Sequence, residues 1–249
     1  MGMMVRYTGA FYSRKGVVWR CRILQESDVA FPVKRLEFPD DEPLVIEYNE
    51  TAKEEVICGS TATLTIVSPC DRTYLDLYSI KVGQIRLDVY RDGVLFWSGC
   101  LDPEFYEEPY DSTSDYEVSL TFSDFGILDR MPYDGSGRKT LKELLDIALD
   151  KSRLNYTSVD ETLISTQLTD GTRLTLSSLM MASENFYDED GEASSFKDVI
   201  EGIFQPLGLR MIQRAGKVYV YDINGLYTSK NPSSEIDWQG SDSSLGTDS

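Results

Sequence analysis

The sequence contains no histidine among its 249 residues. A Ser-His-Asp triad, a Cys-His pair and a His-ligated zinc site all require that side chain, so these kinds of site are excluded. Catalysis by carboxylates, lysine, tyrosine or cysteine stays open. A structural or binding role without any catalysis stays open as well.

Cysteine is also scarce, with Cys21, Cys58, Cys70 and Cys100 as its only examples. No two of them form a C-x-x-C pair, so the spacing does not indicate a zinc or iron–sulfur site. All four lie in or beside apolar, strand-like runs, which predicts small buried side chains rather than disulfides. We expect no metal and no cofactor.

Basic residues are few, since 24 Lys and Arg face 42 Asp and Glu, for a formal net charge of −18. Such a charge disfavours nucleic acid and anionic membranes as partners.

No stretch reaches the roughly 18 uncharged apolar residues that a membrane span needs. The first residues lack the continuous apolar region of a signal peptide, which predicts synthesis and folding in the cytoplasm.

Residues 1–130 are predicted to form an antiparallel β-barrel or sandwich domain. Several short segments alternate apolar with polar residues or are rich in β-branched side chains, and turn residues separate them. Asp92-Gly93 is a typical hairpin turn between two of them. The predicted strands lie near 17–23, 44–48, 61–67, 85–90, 94–99 and 116–122.

Residues 138–226 are predicted to form a smaller α+β domain, because the apolar period changes from two to about 3.6. Its two amphipathic helices and its hairpin are expected at about 140–153, 195–205 and 209–223. Thr140 with Glu143 and Ser195 with Asp198 mark the helix starts. Residues 227–249 are predicted to be a polar tail or a linker. The expected fold class is therefore α+β and β-rich.

Acidic residues are concentrated between Arg91 and Arg130, where ten acids and no base occur. Paired carboxylates beside aromatics are typical of a glycoside hydrolase cleft, which is one alternative. A solvated or partner-facing loop explains the same composition. The acidic run Asp188–Glu192 does not fit the ligand spacing of a calcium-binding EF-hand loop.

Aromatic residues within this acidic region suggest a second alternative. Trp97, Tyr106 and Tyr110 would serve as stacking platforms if they were exposed in a concave patch. The chain would then be a binding module for a carbohydrate or another host-surface ligand.

The order of these elements supports a different interpretation. The segment 85–103, with its strand, short turn and aromatic-x-Gly, resembles a hairpin in tail proteins from phages and prophages of Bacteroides-type bacteria. The segment 196–223 resembles the helix-plus-hairpin unit of phage tail hub proteins, where a helix ends at Pro-x-Gly-Leu. Residues 238–242 resemble the link into a second barrel in longer relatives. The chain is therefore similar to the N-terminal part of a baseplate hub protein.

The resemblance implies a structural protein of the virion tail, made in the bacterial cytoplasm and without catalytic residues. Hub proteins of this kind form trimeric rings between the tail tube and the spike, so the expected partners are tube, spike and tape-measure proteins and two further copies of the chain. The missing second barrel would follow residues 227–249. The candidate contact elements are the 102–110 loop and the 209–223 hairpin. The candidate contact residues are Trp97, Phe105, Tyr106, Tyr110, Tyr219 and Tyr221.

Overall fold

The computed structural model describes residues 2–49, 55–70, 72–78, 81–102 and 115–228. Strands outnumber helices, and the predicted β-rich α+β class is confirmed. The chain forms two compact units. The barrel unit comprises the described residues within 1–49, 59–127 and 152–156, and the α+β unit comprises those within 50–58, 128–151 and 157–249.

The barrel unit is built on one eight-stranded sheet with the order β3-β1-β2-β7-β8-β9-β6-β4. All its pairs are antiparallel except β1 with β3. Strands are numbered along the chain, and β5 belongs to the other unit. The strands are β1 (Gly2–Tyr12), β2 (Val18–Ser27), β3 (Lys34–Arg35), β4 (Leu44–Tyr48), β6 (Ser60–Ser68), β7 (Ile85–Arg91), β8 (Val94–Leu101) and β9 (Tyr116–Ser123).

One chain segment, residues 34–48, connects the two ends of this sheet. At its start, Leu36 N donates to Thr8 O of β1 at 2.8 Å, and Val67 N of β6 donates to Glu37 O at 2.8 Å. Its last residues form β4, which pairs with β6. The sheet therefore closes on itself, as a barrel does.

Every second residue along the strands points into the core of the barrel unit. In β6, buried residues alternate with half-buried ones over its whole length, so one face points inward. The neighbouring strands contribute the same kind of face. The buried residues include Cys21, Ile23, Ala62, Leu64, Ile66, Leu87, Val89, Trp97, Val118, Leu120 and Phe122.

The described part of the α+β unit contains a four-stranded sheet with the order β11-β14-β13-β5, a two-stranded sheet of β10 and β12, and three α-helices. Buried residues of its two longer helices and of β13 and β14 form its core. The strands are β5 (Ile57–Cys58), β10 (Arg138–Thr140), β11 (Val159–Asp160), β12 (Met180–Ala182), β13 (Leu209–Arg214) and β14 (Lys217–Asp222), and the helices are α1 (Leu141–Ser152), α2 (Phe196–Phe204) and α3 (Ile223–Thr228).

Both predicted long helices are present, and each begins at a capping box. Thr140 Oγ1 accepts from Glu143 N at 3.1 Å, and Glu143 Oε2 accepts from Thr140 N at 2.7 Å. Ser195 and Asp198 make the same reciprocal pair at the start of α2. Two hydrogen bonds thus satisfy backbone donors that the first helical turn leaves free. None of the helices in the described part of the chain is long and apolar enough to cross a membrane.

The four cysteines are free thiols, and three of them are buried as predicted. The prediction is wrong for Cys70, which is exposed. This residue follows the end of β6 and lies in a turn, where Thr73 Oγ1 donates to its carbonyl oxygen at 2.7 Å. An apolar strand beside a cysteine therefore did not ensure its burial.

Candidate functional site

Six aromatic residues are the predicted partner contacts, and the structure describes three of them. Trp97 in β8 and Tyr219 and Tyr221 in β14 are all buried. Their side chains therefore lie in the cores of their units and not on an open surface, and their contact with a partner stays a prediction. The other three lie outside the described residues: Phe105, Tyr106 and Tyr110.

Trp97 is held inside the barrel unit by a chain of hydrogen bonds. Its indole Nε1 donates to Ser60 Oγ at 2.8 Å, and Ser60 Oγ donates to Asp124 Oδ2 at 2.6 Å. Burial removes the apolar ring from water, and the Ser60 hydroxyl accepts a hydrogen bond from Nε1, the one donor of the indole. Because the ring is enclosed, it offers no surface on which a sugar ring could stack.

Asp124 is a fully buried carboxylate of the barrel unit, and it connects β6 to the end of β9. Its Oδ1 accepts from Ser60 N at 2.9 Å and from Phe125 N at 2.7 Å. Burial raises the pKa of Asp124 to about 6, although the hydrogen bonds from Ser60 and Phe125 act in the opposite direction. This carboxylate joins two strands and has no open approach.

Asp88 is buried on the other face of β7, where it anchors residues 152–156 to the barrel unit. It accepts from Arg86 Nε at 2.8 Å, from Ser98 Oγ at 2.9 Å and from Asn155 Nδ2 at 3.0 Å. Asn155 N donates in turn to Ser98 Oγ at 3.0 Å. A fully satisfied polar cluster of this kind specifies one position for a packed segment.

Asp222, at the end of β14, likewise anchors a neighbouring segment in the α+β unit by accepting hydrogen bonds. Its carboxylate accepts from the backbone and hydroxyl groups of Ser165 and Thr166 and from Gly225 N, at 2.5 to 2.9 Å. Burial alone would raise the pKa of Asp222, but the donors, Gly225 and Ser165 first, hold it below its usual value. The loop 163–166 is thereby fastened to the start of α3.

A half-buried cluster around Asp76 was missed by the sequence patterns. Tyr7 Oη donates to Asp76 at 2.7 and 2.8 Å, Arg6 Nε donates to it at 2.9 Å, and Lys34 Nζ lies 3.5 Å away. Burial raises the pKa of Tyr7, and so does the neighbouring carboxylate. A β-bulge between Val5 and Tyr7 accompanies this arrangement, since a bulge turns successive side chains out of alternation.

The described part of the barrel unit also carries an open groove of about 440 Å³ on the outer face of β2 and β7. Val18, Arg20 and Arg22 line it from β2, Tyr90 lines it from β7, and the turn 92–93 borders it. Sequence reasoning missed this groove. The signal that could have revealed it is charge, because residues 1–25 contain five bases and no acid.

Clustered acidic residues in the described part of the chain make hydrogen bonds within their own loop. In the predicted acidic loop, Asp188 Oδ1 accepts from Asp190 N at 3.0 Å and from Glu192 N at 2.8 Å, which shapes the turn. Among the residues that the structure describes, no group of three or more Cys, Asp or Glu is arranged to hold a metal ion.

Comparison with known proteins adds no further identification. No family model matches the chain, and no curated protein matches it either. A function therefore has to be argued from the geometry of the two units and from the order of the sequence elements.

Proposed function

We propose that the chain is a structural component of a phage tail or of a tail-derived injection apparatus, similar to a baseplate hub. It would act by assembly between the tail tube and the spike, within the virion tail. The order of the hairpin 85–103 and the helix-plus-hairpin unit 196–223 motivates this proposal.

The use of the buried carboxylates is the observation that carries the proposal. Asp88, Asp124 and Asp222 each hold segments of their own unit together through three or more hydrogen bonds. Such groups specify shape, since their acceptor oxygens are occupied by the protein itself. Shape and surface contact are what an assembly subunit supplies.

Strand β4 is the proposed contact element in the described part of the barrel unit. It stands at the end of the sheet order, with β6 as its strand partner on one side. Val45, near its middle, is 37% exposed. The closing hydrogen bonds lie at Leu36 and Glu37, before β4, so β4 itself keeps one side without a strand partner among the described residues. Such a side with an exposed apolar residue favours pairing with another chain.

The two alternatives keep weaker support. The carbohydrate-binding or host-surface module rested on three aromatics, of which Trp97 is enclosed in the core. The glycoside hydrolase requires two carboxylates roughly 5–9.5 Å apart across a cleft. The buried carboxylates Asp88 and Asp124 are each enclosed by their own set of donors.

Light scattering tests the assembly proposal. We expect the chain to form a defined complex with the tube and spike proteins of the same tail. Val45→Lys should weaken that complex at least about tenfold, because a charge on an edge strand opposes strand pairing. Val29→Lys is the matched control, since Val29 is also exposed but lies outside the strands. A chain that stays monomeric, alone and with both partners, would contradict the proposal.

A further inference from the structure

The groove on the outer face of the barrel unit presents positive charge next to an aromatic ring. Along β2, Arg20 and Arg22 alternate with the core residues Cys21 and Ile23, so both arginines point away from the core. Tyr90 of β7 is half-buried and lies opposite Arg20 in the strand register. The Arg22 guanidinium carbon lies 4.9 Å from the centre of the Tyr90 ring. Two guanidinium groups therefore lie beside one ring.

The groove offers more hydrogen-bond donors than acceptors. Arg20 has no hydrogen-bond or ion-pair partner among the residues that the structure describes, and Arg22 contacts the Tyr90 ring. Asp92, the acid that lines the groove, accepts from Val18 N at 3.0 Å. The lining residues thus carry two positive charges and one negative charge. A ligand that binds here has to supply acceptors and negative charge.

A second acid, Asp88, lies opposite Arg22 in the register of β2 and β7. Its carboxylate accepts from Arg86 at 2.8 and 3.1 Å and from Asn155 Nδ2 at 3.0 Å, and no ion pair joins it to Arg22. Asp88 still lowers the positive potential at that end of the groove. Arg20, two residues farther along β2, therefore keeps more of its positive charge for a ligand.

Side chains form most of the groove, because its two strands lie inside the sheet. β2 pairs with β1 and β7, and β7 pairs with β2 and β8. Since both strands have ladder partners on each side, an extended peptide finds no open strand edge here. The volume of about 440 Å³ is typical of sites for small organic ligands. Recognition therefore depends on the charged and polar groups of the ligand.

Aromatic surface continues on the other side of β2. Tyr12 of β1 pairs with Val18 in the register, so its side chain lies on the same face, and it is 74% exposed. Tyr12 and Tyr90 lie two strands apart, which is about 10 Å. Sugar rings rest their apolar C–H faces on such aromatic rings, and a guanidinium between the rings pairs with a carboxylate.

We propose that this groove binds an acidic oligosaccharide, with a sugar carboxylate held by Arg20 and Arg22 and the adjoining sugar ring against Tyr90. A nucleic acid is disfavoured, because its continuous phosphate charge would lie along a chain whose net charge is −18. The inference goes beyond the assembly role proposed above and does not rest on it. It also assigns carbohydrate binding to residues other than the three aromatics that the sequence suggested.

Isothermal titration calorimetry tests the proposal with two acidic oligosaccharides, cellobiouronic acid and sialyllactose. At least one of them should bind saturably with a Kd of about 1 mM or lower. Its neutral counterpart, cellobiose or lactose, should bind at least about tenfold more weakly, and added salt should weaken the binding of the acidic sugar. Acetate, which carries the charge without a sugar ring, should also bind at least about tenfold more weakly.

Substitutions then assign the binding to the groove. Arg20→Gln/Arg22→Gln should weaken binding of the acidic sugar at least about tenfold, because it removes both guanidinium forks. Tyr90→Leu should weaken it about threefold or more, since leucine is apolar but lacks the flat ring. Arg130→Gln/Arg138→Gln is the matched control, because both residues are exposed in the α+β unit and the net charge changes equally. The control should bind like the unmodified chain.

Thermal unfolding establishes that each variant is folded before its binding is compared. The proposal is overturned if neither acidic sugar binds, if acidic and neutral sugars bind equally, or if the folded groove variant binds like the control. It is also overturned if acetate or a triglutamate peptide binds as tightly as the acidic sugar. Light scattering with tube and spike proteins measures the assembly role separately, so the failure of one proposal is distinguishable from the failure of the other.

Discussion

At the scale of single residues, the buried carboxylates differ in pKa because they differ in their donors. Asp124 has three donors and complete burial, and burial prevails, so its pKa rises to about 6. Asp222 has five donors, and they prevail over burial, so its pKa falls. Stability from Asp222 is therefore present above its unfolded pKa and is lost as the pH falls.

The Asp124 contribution has the opposite sign. Its folded pKa of about 6 exceeds the unfolded value of about 3.9, so its stabilisation is complete at low pH and is lost as the pH rises through 6. Relative to Asp124→Asn, which does not titrate, the unmodified chain should gain about 2 kcal/mol of unfolding free energy between pH 7.5 and 4.5. Urea unfolding at both pH values measures this gain.

Asp150→Asn provides the control for this measurement, since Asp150 is an exposed acid of α1. Its difference from the unmodified chain should stay nearly constant between the two pH values. An equally constant difference for Asp124→Asn would contradict the assignment of a raised pKa.

At the scale of elements, short-range chemistry determines where helices and turns begin. The capping boxes at Thr140 and Ser195 lie at the positions that the sequence predicts. In the β13–β14 hairpin, Ala215 and Gly216 both have positive φ, at 48° and 73°. Two such residues give the turn a twist that matches its flanking strands.

Ser195→Ala should remove the cap of α2 and lower the unfolding free energy by about 1 kcal/mol. The Ser195 hydroxyl accepts from Asp198 N at 3.1 Å and donates to Asp198 Oδ2 at 2.7 Å, and alanine replaces neither bond. Thermal unfolding followed by circular dichroism measures the loss. Ser177→Ala, at an exposed position outside the helices, should change the midpoint little. Equal shifts for the two variants would show that the cap contributes nothing.

At the scale of the whole molecule, the closure of the sheet depends on a close approach of two chain segments. Gly9 in β1 faces the segment that leaves β3, and a Cβ there would lie 2.8 Å from Leu36 Cβ and 2.5 Å from the Phe38 ring. Phe38 also contacts Phe11 edge-on, with 5.2 Å between ring centres. The absence of a side chain at Gly9 therefore permits this contact.

Gly9→Ala should lower the unfolding free energy of the barrel unit by about 2 kcal/mol, because added volume in a packed contact forces the backbone apart. Urea unfolding monitored by tryptophan fluorescence measures the loss, since all described tryptophans lie in this unit. The neighbouring Ala10 is exposed, so Ala10→Ser should have almost no effect. A Gly9→Ala variant as stable as Ala10→Ser would show that the closure tolerates the added group.

Sequence periodicity predicted most of the longer strands but not β1. The bulge between Val5 and Tyr7 interrupts its alternation, and Tyr7 is its one fully buried side chain. Its residues consequently show no clear apolar face. Pairing with β2 over nearly its whole length holds this strand in place, and that pairing is a long-range property that no local pattern contains.

The location of a candidate contact residue likewise could not be predicted from the local sequence pattern. The run 94–97 is apolar throughout, so its composition does not tell which side chain faces inward. A register shift at Phe96 in β8 determines which side chains of this run face inward, and Trp97 turns towards Ser60 in the core. Strand direction and register are needed before an aromatic residue can be placed on a surface or in a core.

The sequence by itself determined the fold class, the two long helices with their caps, the β13–β14 hairpin and the concentration of acids after Arg91. These features follow from local preferences and from short-range hydrogen bonds. Only the tertiary structure decided the closure of the sheet near Gly9, the burial of Trp97 and the gathering of Arg20, Arg22 and Tyr90 on one face. The physical reason is that each of these depends on which strands become neighbours, and that choice is made by packing between distant parts of the chain.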